Sequence, residues 1–158
     1  MNYIGIVGAR NFKNKKSVQD LVKSVPGNSI IVTGSCKGVC SWTIEQAKKR
    51  KLHMIVYEPD LKNIHSRFEV AKRYYQRNRE LIERCDFVYA FISAENGFTG
   101  GTRFEIEYAI KLGKPFRIYT EKNSSAIVYQ SDLFSIDSSD YAQEWIDFFL
   151  ETFSLKRG

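Results

Sequence analysis

The sequence predicts a single α/β domain, with helices on both faces of a mainly parallel sheet of five or slightly more strands. Short apolar runs alternate with amphipathic helical stretches, which indicates parallel strands joined by helical crossovers. The run Phe87–Ile92 has six apolar residues without alternation, as is typical of a strand buried on both faces. The length of 158 residues, with 43% hydrophobic and 27% charged residues, suits one globular domain spanning 1–158.

The first half of the chain carries signals for three strands and two helices. Apolar runs predict strands over 3–7, 29–33 and 53–57. Helices are predicted between them, over 17–25, where apolar residues share one face, and over about 39–51. Glycines follow the first two strands, so we expect tight turns there.

The second half begins with a helix signal at Ser66, which together with Glu69 forms a capping box. This helix is expected to continue to about Arg84. The strand over 87–92, a helix over 102–112 closed by Gly113, and a strand over 115–119 follow. Residues 120–158 form a C-terminal extension that ends in an amphipathic helix over 140–153. We assign its aromatic stripe to packing against the domain, with a dimer contact as the alternative.

The charge, the apolar runs and the cysteines of the chain indicate which partners it can have. The net charge is +6 and the positive charge lies in the first half of the chain, which favours partners that carry phosphate. No apolar run approaches the ~20 residues that cross a bilayer, so we predict a cytoplasmic protein without a membrane partner. The three cysteines include no Cys-x-x-Cys pair, and we interpret them as small apolar fillers rather than ligands of a metal. We expect no cofactor, because no Gly-x-Gly-x-x-Gly follows the first strand.

Candidate ligand-binding residues follow the strands, where an open parallel sheet places its ligands. A glycine-rich turn opens the helix predicted over 102–112, and its backbone amides are suited to phosphate. A second glycine-rich loop follows the second strand, and an arginine follows the first strand at a loop tip, where a guanidinium can grip phosphate. These candidates are Gly8, Arg10, Gly34, Ser35, Gly38, Gly100, Gly101 and Thr102.

Glu105 has two interpretations at this point. Thr102 and Glu105 have the spacing of a capping box, in which the carboxylate only satisfies a backbone amide. Alternatively, Glu105 is a carboxylate at the floor of the anion site, able to attack or stabilise an electron-poor sugar carbon. Arg77 lies on a helix rich in charge, where solvation is the default for an arginine.

Several short motifs together resemble the SLOG superfamily. They are Arg77-Asn78-Arg79, the strand from Cys85 to Phe91, Gly100-Gly101-Thr102-Arg103-Phe104-Glu105, Tyr108-Ala109 and Gly113-Lys114-Pro115. That superfamily includes the LOG-type nucleoside monophosphate phosphoribohydrolases, DprA-like domains and YpsA-like proteins. The segment 102–115 is also similar to nucleoside 2-deoxyribosyltransferases and deoxynucleotide N-hydrolases. The glycine spacing is shorter than in the LOG-type pattern.

The resemblance implies a Rossmann-like three-layer fold and specific roles for matching residues. Glu105 falls on the catalytic glutamate and Arg77 on the arginine that positions the sugar phosphate. Asn78 and the turn from Gly100 to Thr102 fall on ligand-binding positions. Relatives also suggest a homodimer.

The function predicted from these residues is binding of a nucleotide or nucleotide-derived phosphate ligand, with hydrolysis of the N-glycosidic bond of a nucleoside 5′-monophosphate as the candidate activity. A non-enzymatic sensor that uses the same pocket is the first alternative. DprA-like binding of single-stranded nucleic acid is the second. The linear sequence shows no interleaved row of aromatic and basic residues that would mark a stacking groove.

Overall fold

Strands and helices alternate from Tyr3 to Thr120 in the computed structural model, which describes residues 2–121 and the backbone of residues 128–130. The elements in chain order are β1 (Tyr3–Gly8), α1 (Lys15–Ser24), β2 (Ile30–Gly34), α2 (Val39–Lys49), β3 (His53–Tyr57), α3 (Arg67–Arg84), β4 (Phe87–Ile92), α4 (Gly100–Lys111), β5 (Phe116–Thr120) and β6 (Val128–Gln130). No helix in this part of the chain is long and apolar enough to cross a membrane.

The six strands form one sheet in the order β3-β2-β1-β4-β5-β6. Strands β1 to β5 run parallel, and β6 pairs antiparallel with β5. The chain builds outward from β1 to β3 and then returns to place β4 on the other side of β1. This is the predicted Rossmann-like α/β layout. The carboxyl ends of β1 and β4 meet where the strand order reverses, which is where such sheets leave a crevice.

Two hydrophobic cores lie on opposite faces of the sheet. Helices α1 and α2 cover one face, and α3 and α4 cover the other. Neighbouring residues of β2 illustrate the division: Ile31 belongs to the first core and Val32 to the second, and both are fully buried. Burying an aliphatic side chain of this size contributes about 1.5–3 kcal/mol, so both helix pairs are held firmly on the sheet that carries the site.

The ends of the helices show where the sequence-based expectations hold. The Ser66 hydroxyl accepts a hydrogen bond from the Glu69 amide at 3.2 Å, as predicted, while the Glu69 carboxylate accepts from His65 at 2.9 Å, one residue earlier than in the standard box. Helix α1 begins two residues earlier than expected because the Asn14 side chain caps it.

The start of helix α4 differs from the prediction, and this difference changes the interpretation of Glu105. The helix begins at Gly100, with Thr99 as its N-cap residue, rather than at Thr102. Glu105 therefore lies in the second turn, and the proposed Thr102–Glu105 capping box is wrong. In the C-terminal extension, β6 is a strand for which the sequence had no clear signal. The helix predicted over 140–153 lies outside the described residues.

Candidate functional site

A cavity of about 540 Å³ opens at the carboxyl ends of β1 and β4. Its volume is within the range of small-molecule sites. Nine residues that the sequence marked line it: Gly8, Arg10, Gly34, Arg77, Asn78, Gly100, Gly101, Thr102 and Glu105. The remaining two, Ser35 and Gly38, are not among its lining residues. The topology thus gathers residues from four separate segments of the chain into one pocket.

The N-terminus of α4 forms one side of this cavity without a side-chain cap. The Thr99 hydroxyl donates to the carbonyl of Asn96 at 3.0 Å instead of accepting from the first helical turn. The first amides of a helix have no intrahelical acceptor, so these groups are suited to an anion. Gly100 has a φ of +62°, and a Cβ at this position would meet nothing within 4 Å. The turn therefore leaves open space beside the uncapped amides.

Glu105 lies behind this turn and is 8% exposed. Within the described residues its carboxyl group has no hydrogen-bond or ion-pair partner. Burial raises the pKa of Glu105 to about 8, and the positive charge of Arg77 only partly opposes that effect. The carboxyl group is therefore mostly protonated at pH 7. In either protonation state it lines the cavity, and no other described residue uses its hydrogen-bonding capacity.

Arg77 and Asn78 are buried at the cavity with Glu105, so the default of a solvated arginine does not hold for Arg77. They are 6% and 4% exposed. The Arg77 guanidinium donates to the Asn78 side-chain oxygen at 2.8 Å and to the Tyr57 carbonyl at 3.2 Å. Because Oδ1 of Asn78 accepts this hydrogen bond, its Nδ2 lies on the side of Gly101. A Cβ built on Gly101 would be 3.4 Å from this nitrogen. Arg77 thus holds Asn78 in a fixed orientation at the cavity.

The first glycine-rich loop contributes less to the cavity than the sequence suggested. A Cβ on Gly34 would lie 2.9 Å from the Arg77 guanidinium, so this glycine makes room for the arginine. Gly38 has a φ of +77°, and a Cβ there would lie 2.4 Å from the Arg10 carbonyl oxygen. Ser35 is exposed. The glycines of this loop allow chain segments to approach each other.

Cys36 was expected to be an apolar filler, and that expectation is wrong. Its Sγ lies 3.5 Å from one guanidinium nitrogen of Arg77 and 3.8 Å from one of Arg10. Contact with Cys36, supported by Tyr74, raises the pKa of Arg10. Cys40 and Cys85 are buried, as expected. Among the described residues, no group of three or more His, Cys, Asp or Glu side chains is placed to hold a metal ion.

Sequence reasoning missed several residues that complete the cavity. Tyr74 lies on α3 with its ring centroid 5.5 Å from the Arg77 guanidinium carbon. Asn96 and Thr99 enter from the loop after β4. A signal for Tyr74 existed, because residues three or four apart share a helix face, and Tyr74 precedes Arg77 by three.

Solved structures have the same architecture. DNA processing protein A (DprA) from Streptococcus pneumoniae superposes with a TM-score of 0.62 at 17% identity, over 94% of this chain and 56% of DprA. The structural-genomics target TM1055 superposes with a TM-score of 0.51 at 17% identity, over 73% of this chain and 72% of that one. The chain shares their fold. At such identities the likeness extends no further than the fold.

The chain corresponds to little more than half of DprA. No protein-family model and no curated protein sequence matches it. Its function must therefore be argued from the cavity itself.

Proposed function

We propose that the cavity binds a nucleotide or a nucleotide-derived phosphate compound, as SLOG-type proteins do. One observation carries the proposal: the uncapped, open turn at Gly100 lines the same cavity as the buried carboxyl group of Glu105, which has no hydrogen-bond partner among the described residues. A phosphate would accept hydrogen bonds from the first amides of α4. The exposed guanidinium of Arg10 supplies positive charge at the cavity mouth.

The arrangement of polar groups also fits a sugar next to that phosphate. Asn78 can donate from Nδ2, and the Glu105 carboxyl group can donate when protonated or accept when ionised. Arg77 keeps a positive charge near Glu105, so the ionised form remains accessible despite burial. The tyrosines of α3 that line the cavity, Tyr74 and Tyr75, offer aromatic surface to a base.

The reaction that suits these groups is hydrolysis of the N-glycosidic bond of a nucleoside 5′-monophosphate. The bond between C1′ and the base nitrogen breaks, and the base takes the electron pair and a proton. The oxygen of water bonds to C1′ and supplies that proton in the net reaction. An ionised Glu105 stabilises the positive charge that develops on the sugar, and Arg77 positions Asn78 and keeps a positive charge near Glu105. The rate should therefore rise with pH through about 8.

The test is incubation with a panel of ribo- and deoxyribonucleoside monophosphates, with released base measured by chromatography. We expect Glu105→Gln to lower base release by about 10²- to 10⁴-fold, the usual range for a positioned carboxyl group. The matched control is Glu45→Gln, because Glu45 is half exposed on α2 and pairs with Lys15 and Lys49. It should leave base release unchanged.

A different outcome would favour a sensor. If none of the monophosphates loses its base but one of them raises the melting temperature, the cavity binds its ligand without catalysis. If no nucleotide is cleaved or raises the melting temperature, the proposal is wrong in both forms.

A further inference from the structure

A second concave surface borders the cavity, between α3 and α4. We call it the α3–α4 groove. Its volume is about 590 Å³, close to that of the cavity. The groove and the cavity share three lining residues, Ala71, Tyr75 and Gly100, so the two lie directly beside each other.

Three aromatic side chains of the groove are accessible to solvent. Phe68 is 76% exposed, and Tyr75 is 39% exposed. The Tyr75 and Phe104 rings lie side by side, with centroids 4.6 Å apart. Phe68 and Tyr75 are seven residues apart on α3 and therefore share one helix face. An exposed aromatic surface of this kind beside a polar cavity indicates a binding surface.

Basic side chains lie among these rings. The Arg79 guanidinium carbon is 5.9 Å from the Phe104 ring centroid, and Lys72 also lines the groove. Arg103 lines it too and donates to Glu107 at 2.6 Å. The lining of the groove thus carries three cationic side chains and one carboxylate. Aromatic rings for stacking and cations for phosphate are what a nucleotide-binding groove requires.

We propose that the ligand consists of two nucleoside units joined through phosphate. One unit occupies the cavity, the other stacks on Phe68, Tyr75 and Phe104, and the linking phosphate lies at the α4 N-terminus beside Gly100. This inference rests on the proposed function and specifies its ligand class. The two depressions have similar volumes and meet at the residue that borders the uncapped amides, which is the geometry such a ligand needs.

The test compares 5′-phosphorylated mono-, di- and dodecanucleotides of thymidine and of adenosine by calorimetric titration of the full chain. Stacking of a second base should make the dinucleotide bind about 5- to 100-fold more tightly than the mononucleotide. If the dinucleotide and the dodecanucleotide bind with equal affinity, the ligand of the site is a free dinucleotide. If the dodecanucleotide binds more tightly than the dinucleotide and its affinity depends steeply on salt, the ligand is the end of a longer strand.

Variants of the groove separate it from the cavity. Phe68→Ala should abolish the extra affinity of the dinucleotide over the mononucleotide and leave mononucleotide affinity unchanged. Because Phe68 is highly exposed, we expect the substitution to leave the fold intact. Phe104→Ala should act in the same direction. Leu112→Ala is the matched control, because Leu112 is an exposed apolar residue at the other end of α4. It should keep the full gain.

Four results would overturn the inference. If the dinucleotide binds no more tightly than the mononucleotide, or if the gain survives Phe68→Ala and Phe104→Ala, the groove is not a nucleotide subsite while the proposed function stands. If Phe68→Ala lowers the melting temperature or dissociates an oligomer, another part of the chain or a second copy covers the groove. If no nucleotide binds at all, the inference fails together with the proposed function.

Discussion

The two glycine-rich turns of this protein differ in what occupies the space beside them. Both precede a helix that has no side-chain cap, α2 in one case and α4 in the other. In the first turn the space beside Gly34 and Gly38 is filled by the Arg77 side chain and the Arg10 backbone. In the second turn the space beside Gly100 is open. Glycines therefore indicate a ligand site only where the chain itself leaves that space empty.

The largest expected effect on stability comes from Gly38→Ala. The substitution combines a positive φ of +77° with a Cβ only 2.4 Å from a carbonyl oxygen of the Arg10 segment, and backbone atoms cannot move aside cheaply. We expect the free energy of unfolding to fall by about 3 kcal/mol or more. Urea denaturation measures this. A loss below about 1 kcal/mol would show that the first turn is not packed as described.

Glu105 should make stability depend on pH. The pKa of its carboxyl group is about 8 in the folded state, against an ordinary value of 4.5, so the folded protein holds more protons than the unfolded chain between these two pH values. The stability of the wild type is fully present below pH 4.5 and should fall toward pH 8, by about 1.4 kcal/mol per pH unit, relative to Glu105→Gln.

Urea denaturation of both proteins from pH 5 to 8 checks this difference. Glu45→Gln serves as the control and should follow the wild type. Parallel curves for the wild type and Glu105→Gln would mean that the Glu105 carboxyl group ionises normally in the folded protein.

Gly100→Ala should affect ligand binding more than folding. A Cβ there meets no neighbour, so only the φ of +62° opposes it, at a cost of about 1–2 kcal/mol. The added methyl group enters the space assigned to phosphate, and we expect monophosphate affinity to fall about tenfold, which corresponds to ~1.4 kcal/mol. Calorimetric titration checks the affinity. Unchanged affinity would show that the open space beside Gly100 does not bind phosphate and that the two turns do not differ in this respect.

The smallest effect is expected for Cys36→Ser. The Arg77 guanidinium keeps its hydrogen bonds to Asn78 and Tyr57 when the thiol is replaced. We therefore expect the free energy of unfolding to change by less than about 1 kcal/mol, as measured by urea denaturation. A loss of several kcal/mol would show that Cys36 holds the two arginines in place, and the first turn would then contribute to the site through its thiol.

Local patterns predicted the elements of this fold because the parallel strands are short, mainly apolar runs. The residues of β4 illustrate this, and its bounds agree with the prediction. The position of β4 beside β1 depends on long-range pairing, such as Ile6 with Tyr89, which no local pattern encodes.

The same limit explains what sequence reasoning missed at the site. It marked Glu105 and eight other residues of the cavity, but it left the role of Glu105 open between a capping box and an anion site, because local patterns did not show that the helix begins at Gly100. It took Cys36 for a filler because its contacts with Arg10 and Arg77 span 26 and 41 residues. It also missed the α3–α4 groove, because the aromatic and basic residues alternate across two helices rather than along one segment.

The central proposal is that the phosphate binds at the turn at Gly100 rather than at the turn at Gly34–Gly38. The most direct test is the affinity difference between a nucleoside 5′-monophosphate and the same nucleoside, measured in the wild type and in Gly100→Ala. We expect the phosphate to raise affinity at least tenfold in the wild type and far less in the variant. Equal affinity for nucleoside and monophosphate in the wild type would contradict the claim.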